Sequence, residues 1–188
     1  MQDRRAVLKR IGVGIAAVSA GSGVAAGRGR SGNAGRRTGA SAEDGIVATA
    51  DELGFSTLLT AVENADPVVA ETLTNDDQYT VFAPTNEAFT DFFETVEMET
   101  GLTASDLLED PNGLLTDTLL FHVTEGRRYS ESVVNAPEIE TLLGESFSVD
   151  GTRLDDRANI ITADVEAQNG VIHAIDAVLT PSAVDDLL

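Results

Sequence analysis

QYTVFAPTNEAF, residues 78–89, carries a strand, a corner and a helix start in one passage. Tyr79, Thr80, Val81 and Phe82 are aromatic or β-branched, side chains that suit an extended, half-buried strand. Pro84 has no N–H to give to a sheet ladder and marks the strand's end. Thr85 can cap a helix that opens at Asn86, and Glu87 puts an acid in the first turn, where the helix macrodipole is positive. Ala88, Phe89, Phe92, Phe93 and Val96 continue at helical spacing. Four of the seven phenylalanines lie between positions 82 and 93, so this passage is expected to form the centre of the core.

Upstream, Ile46, Val47, Ala50 and Leu53 share a helical face that Gly54 ends. Phe55, Leu58, Leu59 and Val62 repeat the spacing, with Ser56 and Thr57 near the start. Asp66 and Pro67 read as the cap and first residue of a third short helix. Downstream, Gly101 breaks the pattern and Thr103 can cap a helix over 104–108. Asp110-Pro111 can cap the next, whose buried stripe is Leu114, Leu115, Leu119 and Val123. The remainder reads mainly as β: 139–143, 146–149, 152–154, 160–165 and 171–179, separated by Gly144, Asp150-Gly151, Asp155-Asp156 and Asn169-Gly170. Asp-Gly and Asn-Gly tolerate the positive φ angles of tight hairpin turns. In the last strand Val171, His173 and Ile175 alternate with Ile172, Ala174 and Asp176. Both sets are largely apolar, which predicts a central strand buried on both faces. The fold class is α+β.

Charge divides the chain sharply. Residues 1–40 carry eight Lys/Arg against Asp3 alone, a net of +7, whereas residues 41–188 carry four arginines, no lysine and 31 acids, a net of −27. So acidic a domain should repel nucleic acid and anionic membrane, both of which are bound through Lys/Arg. The acids are scattered rather than blocked, which suits a solvated surface adapted to concentrated salt. Residues 1–26 read as an export signal: Asp3-Arg4-Arg5-Ala6-Val7-Leu8-Lys9 resembles the twin-arginine export motif, and Val24-Ala25-Ala26 offers a cleavage site. The alternative is an uncleaved anchor, although the apolar stretch is mild for a transmembrane helix. Residues 27–44 have almost no large apolar side chain and read as a flexible linker. The chain has no cysteine, so disulfides, thiolate metal sites and a cysteine nucleophile are all excluded.

Three passages in order, YTVFAPTNEAF (79–89), LLFHV (119–123) and NGVIHAIDAVLTP (169–181), resemble the fasciclin-like domain family. The first matches one signature box through Tyr79, Phe82, Pro84, Thr85, Asn86 and Phe89. The last matches a second box through Asn169, Gly170, His173 and Asp176. The middle passage matches the family's tyrosine–histidine motif, with Phe121 standing where tyrosine is common and His122 beside it. The resemblance covers about 42–181, leaving 182–188 as a short C-terminal tail. It implies two β-sheets in a wedge or sandwich with helices packed along them, and a module of extracellular adhesion or matrix binding. It also implies an adhesion role for Phe121 and His122.

The residues themselves offer little chemistry. His122 ends an apolar helix and His173 lies on an apolar strand, so each is expected to be a hydrogen-bonded core residue. No His-x-x-x-His spacing, Gly-x-Ser-x-Gly elbow or EF-hand loop is present in the folded part. The four arginines at 127, 128, 153 and 157 are expected to pair with nearby acids, the alternative being an anion or polysaccharide contact. Asp176 is expected either at the sheet edge or as a buried acceptor fixing a loop, with the structural use favoured. The expectation is an exported, cell-surface or extracellular binding module without catalytic residues, cofactor or metal, whose partners are surface glycans or envelope or extracellular proteins. The mature domain is not expected to insert into membrane. One alternative is a secreted hydrolase or small-ligand binder using a groove near His122 or His173; another is a structural subunit of an envelope or matrix. Self-repulsion in the acidic part is screened at molar salt, where the Debye length is about 3 Å. The thermal unfolding midpoint is therefore expected to fall on transfer from molar KCl to dilute buffer; equal midpoints would contradict the salt-adapted reading.

Overall fold

The computed structural model describes residues 44–110 and 113–188; the expected export signal and nearly all of the expected linker lie outside them. The chain runs through α1 (Ile46–Glu52), α2 (Ser56–Asn64), α3 (Pro67–Thr74), β1 (Tyr79–Pro84) and α4 (Asn86–Thr100). It continues with α5 (Ala104–Leu108), α6 (Leu114–Phe121), β2 (Val123–Glu125) and α7 (Ser130–Val134). Last come β3 (Glu138–Glu140), β4 (Ser146–Asp150), β5 (Arg153–Leu154), β6 (Ala158–Ala167), β7 (Gly170–Ile175) and α8 (Ser182–Asp185).

Local capping explains many of the boundaries. Asp66 accepts from the Val68 N–H at 2.9 Å and Thr85 from the Ala88 N–H at 3.2 Å. Thr103 and Asp106 form a reciprocal capping box, and Gly101 ends α4 in the left-handed region at φ 75°. Asp110 caps α6 from a distance. Gly113 occupies the cap position itself, while the Asp110 carboxylate accepts from the N–H groups of Leu115 (2.8 Å) and Thr116 (3.1 Å).

All seven strands join in the order β2-β1-β7-β6-β5-β4-β3, with β1 and β7 parallel and every other neighbouring pair antiparallel. The resemblance led to an expectation of two sheets; hydrogen bonding links the strands into one mixed sheet that curls over itself. Phe82 on β1 and Phe147 on β4 meet edge to face with ring centroids 5.3 Å apart. Four strand spacings in a flat sheet would separate them by roughly 19 Å. Curling brings the sheet's ends together, where Leu142 N–H donates to the Val123 carbonyl at 2.8 Å and the Thr124 hydroxyl to the Glu140 carbonyl at 2.6 Å.

The pleat of β1 and β7 divides the interior in two. Tyr79, Val81 and Ala83 with Ile172 and Ala174 face the helices and pack against Ile46, Leu58, Val69, Leu119 and neighbours. Phe82 and Ile175 face the other way, into a second core with Phe121, Val133, Ile139, Phe147, Leu154 and Leu179. Strand β7 is buried at all six positions, as its sequence predicts. Strand β1 is also buried along its whole length, Pro84 included, rather than half-buried, because β2 and β7 flank it and a core covers each face. Residues 182–188 do not form a free tail: they include α8, whose Val184 is buried and whose Asp185 pairs with Arg157 at 2.7 Å.

Both histidines belong to the interior. His122 is 1% exposed; its Nδ1–H donates to the Thr118 carbonyl at 2.6 Å, and its Nε2 accepts from the Leu179 N–H at 3.0 Å. His173 is fully buried, stacked on Phe82; its Nε2–H donates to the Arg128 carbonyl at 2.8 Å, and its Nδ1 accepts from the Asp164 N–H at 3.3 Å. Each ring is thus fixed as a neutral tautomer. Burial lowers the His122 pKa from 6.5 to about 4, against the opposing pull of the Thr118 carbonyl. Burial lowers the His173 pKa as well, opposed by the Arg128 carbonyl and the Asp164 charge.

Linkage gives the sign. The unfolded chain takes up a proton at each histidine near pH 6.5, whereas folded His122 resists protonation until about pH 4. Its contribution to stability is full above pH 6.5 and is lost as pH falls toward 4, an amplitude of about 3 kcal/mol. Urea melts of the wild type and His122→Gln at pH 7 and pH 4.5 check this: glutamine can serve both partners without titrating, so the variant should lose less stability on acidification. Equal losses would contradict it.

Candidate functional site

The residues of the two boxes converge on one junction between the helices and the sheet. Asn169, in the β6–β7 turn, accepts from the Ile46 N–H at 2.8 Å and so caps α1, whose own cap residue, Gly45, has no side chain. Its Nδ2 donates to the carbonyls of Leu73 (2.8 Å) and Asn75 (3.1 Å) at the end of α3. Asn86 does the same for α2: its Oδ1 accepts from the Thr57 N–H and its Nδ2 donates to the Gly54 carbonyl, both at 3.0 Å. Each box thus supplies an asparagine that caps a helix distant in sequence. Ser56 and Thr57, expected near that start, supply no side-chain cap, and nothing local in sequence signals the remote partner.

Gly170 follows Asn169 for a reason other than the turn chemistry expected of Asn-Gly. A Cβ at this position would lie 2.1 Å from the Tyr79 carbonyl oxygen and 2.6 Å from the Ile46 Cδ1. Its φ is not in the left-handed region; the need is for close approach of two backbones. Gly151, at φ 63° in the β4–β5 hairpin, does meet the expectation of a positive φ.

The remaining box residues are equally structural. Tyr79 is buried, with its hydroxyl accepting from Asn75 Nδ2 at 3.2 Å. Phe89 is buried and packs on Phe93 at 5.9 Å between centroids. Asp176 is exposed rather than buried, and its carboxylate accepts from the Asn159 backbone N–H (2.6 Å) and side-chain amide (3.0 Å), tying β6 to the end of β7.

The Phe121–His122 pair does not form a surface motif. Phe121 is 3% exposed and packs edge-on against Phe147, while both ring nitrogens of His122 are already engaged. Neither side chain can touch a partner without opening the end of α6. The recess beside His122 holds only about 20 Å³, too little for a ligand.

The arginines divide evenly. Arg153 and Arg157 pair with Asp156 (3.7 Å) and Asp185 (2.7 Å), as expected. Arg127 instead donates to the carbonyls of Ala167 (2.8 Å) and Gln168 (2.5 Å) and to the side chain of Gln78. Arg128 forms no ion pair among the described residues; its backbone makes the contacts, its N–H donating to the Thr80 hydroxyl at 2.8 Å and its carbonyl accepting from His173 Nε2–H.

An open recess of about 740 Å³ lies where α1, α2 and α3 meet the Asn169 turn. The half-buried Val47 and Leu59 and the buried Val62 form its floor, and the exposed Asp51, Glu63 and Asp76 stand around it. No local sequence pattern announces this recess, since its walls come from three separate helices and a turn more than 90 residues away.

Comparison with known proteins gives a consistent picture. Residues 53–181 match the profile of the Fasciclin domain. Protein sll1483 of Synechocystis is 39% identical over 130 residues, covering 68% of this chain and 67% of that protein. Immunogenic protein MPB70 of Mycobacterium bovis is 32% identical over 143 residues, covering 73% of this chain and 68% of that one. Porcine transforming growth factor-beta-induced protein ig-h3 is 36% identical, but the match spans only 19% of its length. Among solved structures, a FAS1 domain pair from the insect cell adhesion molecule Fasciclin I aligns over 70% of this chain and 47% of its own, with a TM-score of 0.50 and 21% identity, which supports the fold. With the profile matching more than half of the sequence and two signature boxes forming its central junction, the chain belongs to the fasciclin domain family.

Proposed function

We propose that this chain is an exported, salt-adapted binding module that meets a surface glycan or an envelope or extracellular protein through its outer surface, without catalysing a reaction. The observation that carries the reading is the burial of the recognisable boxes: their rings fill the two cores and their asparagines cap remote helices. That leaves contact with a partner to the exterior. Among the described residues, no aspartate or glutamate is buried; the buried polar side chains are threonines, two histidines and Asn169. The negative charge therefore lies at or near the solvated surface, where it favours solubility at high salt and disfavours anionic partners. Export is supported by the twin-arginine-like start and by one relative whose name places it at a cell surface, the cell surface glycolipoprotein MPB83 of Mycobacterium bovis, 33% identical over 135 residues.

The test is retention at molar salt. The immobilised chain is expected to hold back a defined glycan or protein from an envelope or extracellular fraction. Heat-unfolded chain should not, and no turnover should appear with ester, glycoside or phosphate substrates. A saturable hydrolytic activity abolished by His122→Gln or His173→Gln, with the fold intact, would overturn this reading in favour of an enzyme.

A further inference from the structure

The recess between α1, α2 and α3 combines features that the packing of the domain does not use. Its volume of about 740 Å³ falls within the range of small-molecule clefts, roughly 300–1,000 Å³. Val47, Leu59 and Val62 offer a hydrocarbon surface, with Val47 and Leu59 left half-buried at the margin of the helical core. Asp51, Glu63 and Asp76 rim that surface, and none forms an ion pair with a described residue. The domain has no lysine, and Arg127, bonded to Gln78 and Gln168 at one end of the recess, aims at backbone carbonyls rather than at these acids.

This chemistry selects among occupants. An anion would face three uncompensated carboxylates. A metal ion would need converging ligands, and no group of three suitable side chains exists among the described residues. A purely hydrophilic cation would leave the apolar floor wet, whereas a hydrocarbon body would cover it. The chain's own residues 27–43 carry four arginines and precede Gly45, a lining residue, in sequence, but that stretch has no large apolar side chain to fill the floor. We propose that the recess binds a small amphipathic amine, with its apolar body on Val47, Leu59 and Val62 and its ammonium at the acidic rim to which Asp51, Glu63 and Asp76 contribute. The inference stands apart from the adhesion reading, which concerns the outer surface and a macromolecular partner.

The test titrates the full chain with dansylcadaverine, a fluorescent aromatic body on an alkylammonium tail, at the lowest KCl concentration at which circular dichroism shows the chain folded, so that exposed charges are screened least. The control is the analogous dansyl probe ending in a carboxylate. Saturable, blue-shifted emission is expected with the amine, and binding of the acid should be weaker by about fivefold or more, since an exposed ion pair favours the one probe and repulsion from the rim disfavours the other. Asp51→Asn, Glu63→Gln and Asp76→Asn together should bring the two probes to parity. All three sites are exposed, so this variant should fold. A matched triple change on α4, Asp91→Asn, Glu94→Gln and Glu97→Gln, should leave binding unchanged. Ala70→Phe, which narrows the recess, should weaken both probes. Equal binding of acid and amine by the wild type would overturn the proposal, as would equal losses in the two triple variants. Binding that appears only after Arg28, Arg30, Arg36 and Arg37 are changed to serine would overturn it too, assigning the recess to the chain's own segment.

Discussion

The structure depends on how closely the start of β7 approaches β1. Gly170 lies opposite Tyr79 in a parallel register that runs from there to Pro84 and Ile175, and any side chain at Gly170 would occupy the space of the Tyr79 carbonyl. With the two backbones in contact, Asn169 is placed to reach Ile46, Leu73 and Asn75 together. One short contact thus fixes the centre of the sheet and the attachment of the helical layer. A parallel pair cannot be closed by a tight turn. Here the partners lie about 90 residues apart in sequence, so a large part of the chain must be in place before they meet. Asn86 repeats the device from the first box, anchoring the start of α2.

What was legible in the sequence was local. The strand–corner–helix passage, the caps at Asp66, Thr85 and Thr103 and the doubly buried β7 follow from side chains within a few positions of one another. The remainder is set by distant partners. The caps of α1 and α2 come from residues 123 and 29 positions away. Strand β2 has three residues, and it exists because β1 lies beside it. The short helix α7 is anchored through Ser130, whose N–H and hydroxyl donate to the Asp164 carboxylate of the bulged β6 at 2.6 Å each. The sheet's curl depends on packing between strands that are not neighbours, which no alternation pattern within a strand encodes.

The candidate sites follow the same division. The box residues stand out through the resemblance to the family's signature passages, and in the structure they cap remote helices, fill the cores and hold β1 against β7. The pair Phe121–His122 illustrates the consequence. A tyrosine at position 121 would bring a hydroxyl into a core of phenylalanine, isoleucine and leucine side chains, whereas phenylalanine fits that core without a polar group to satisfy. The surfaces available for recognition, the acidic exterior and the recess on the helical layer, carry no motif. Their residues are ordinary acids and aliphatics that acquire meaning once the helices are packed.

The most direct measurement of the central claim is the stability of Gly170→Ala against Gly144→Ala by denaturant melts at molar salt. Gly144 has a φ of 88° but open space around its would-be Cβ, so alanine there meets backbone strain alone, about 1–2 kcal/mol. Gly170 has no such φ but faces the Tyr79 carbonyl at 2.1 Å, so alanine must push the two boxes apart. The account predicts that Gly170→Ala is much the more damaging, losing the cooperative transition or most of its midpoint. A Gly170→Ala protein as stable as Gly144→Ala would show that the boxes do not depend on this contact, and would contradict the account.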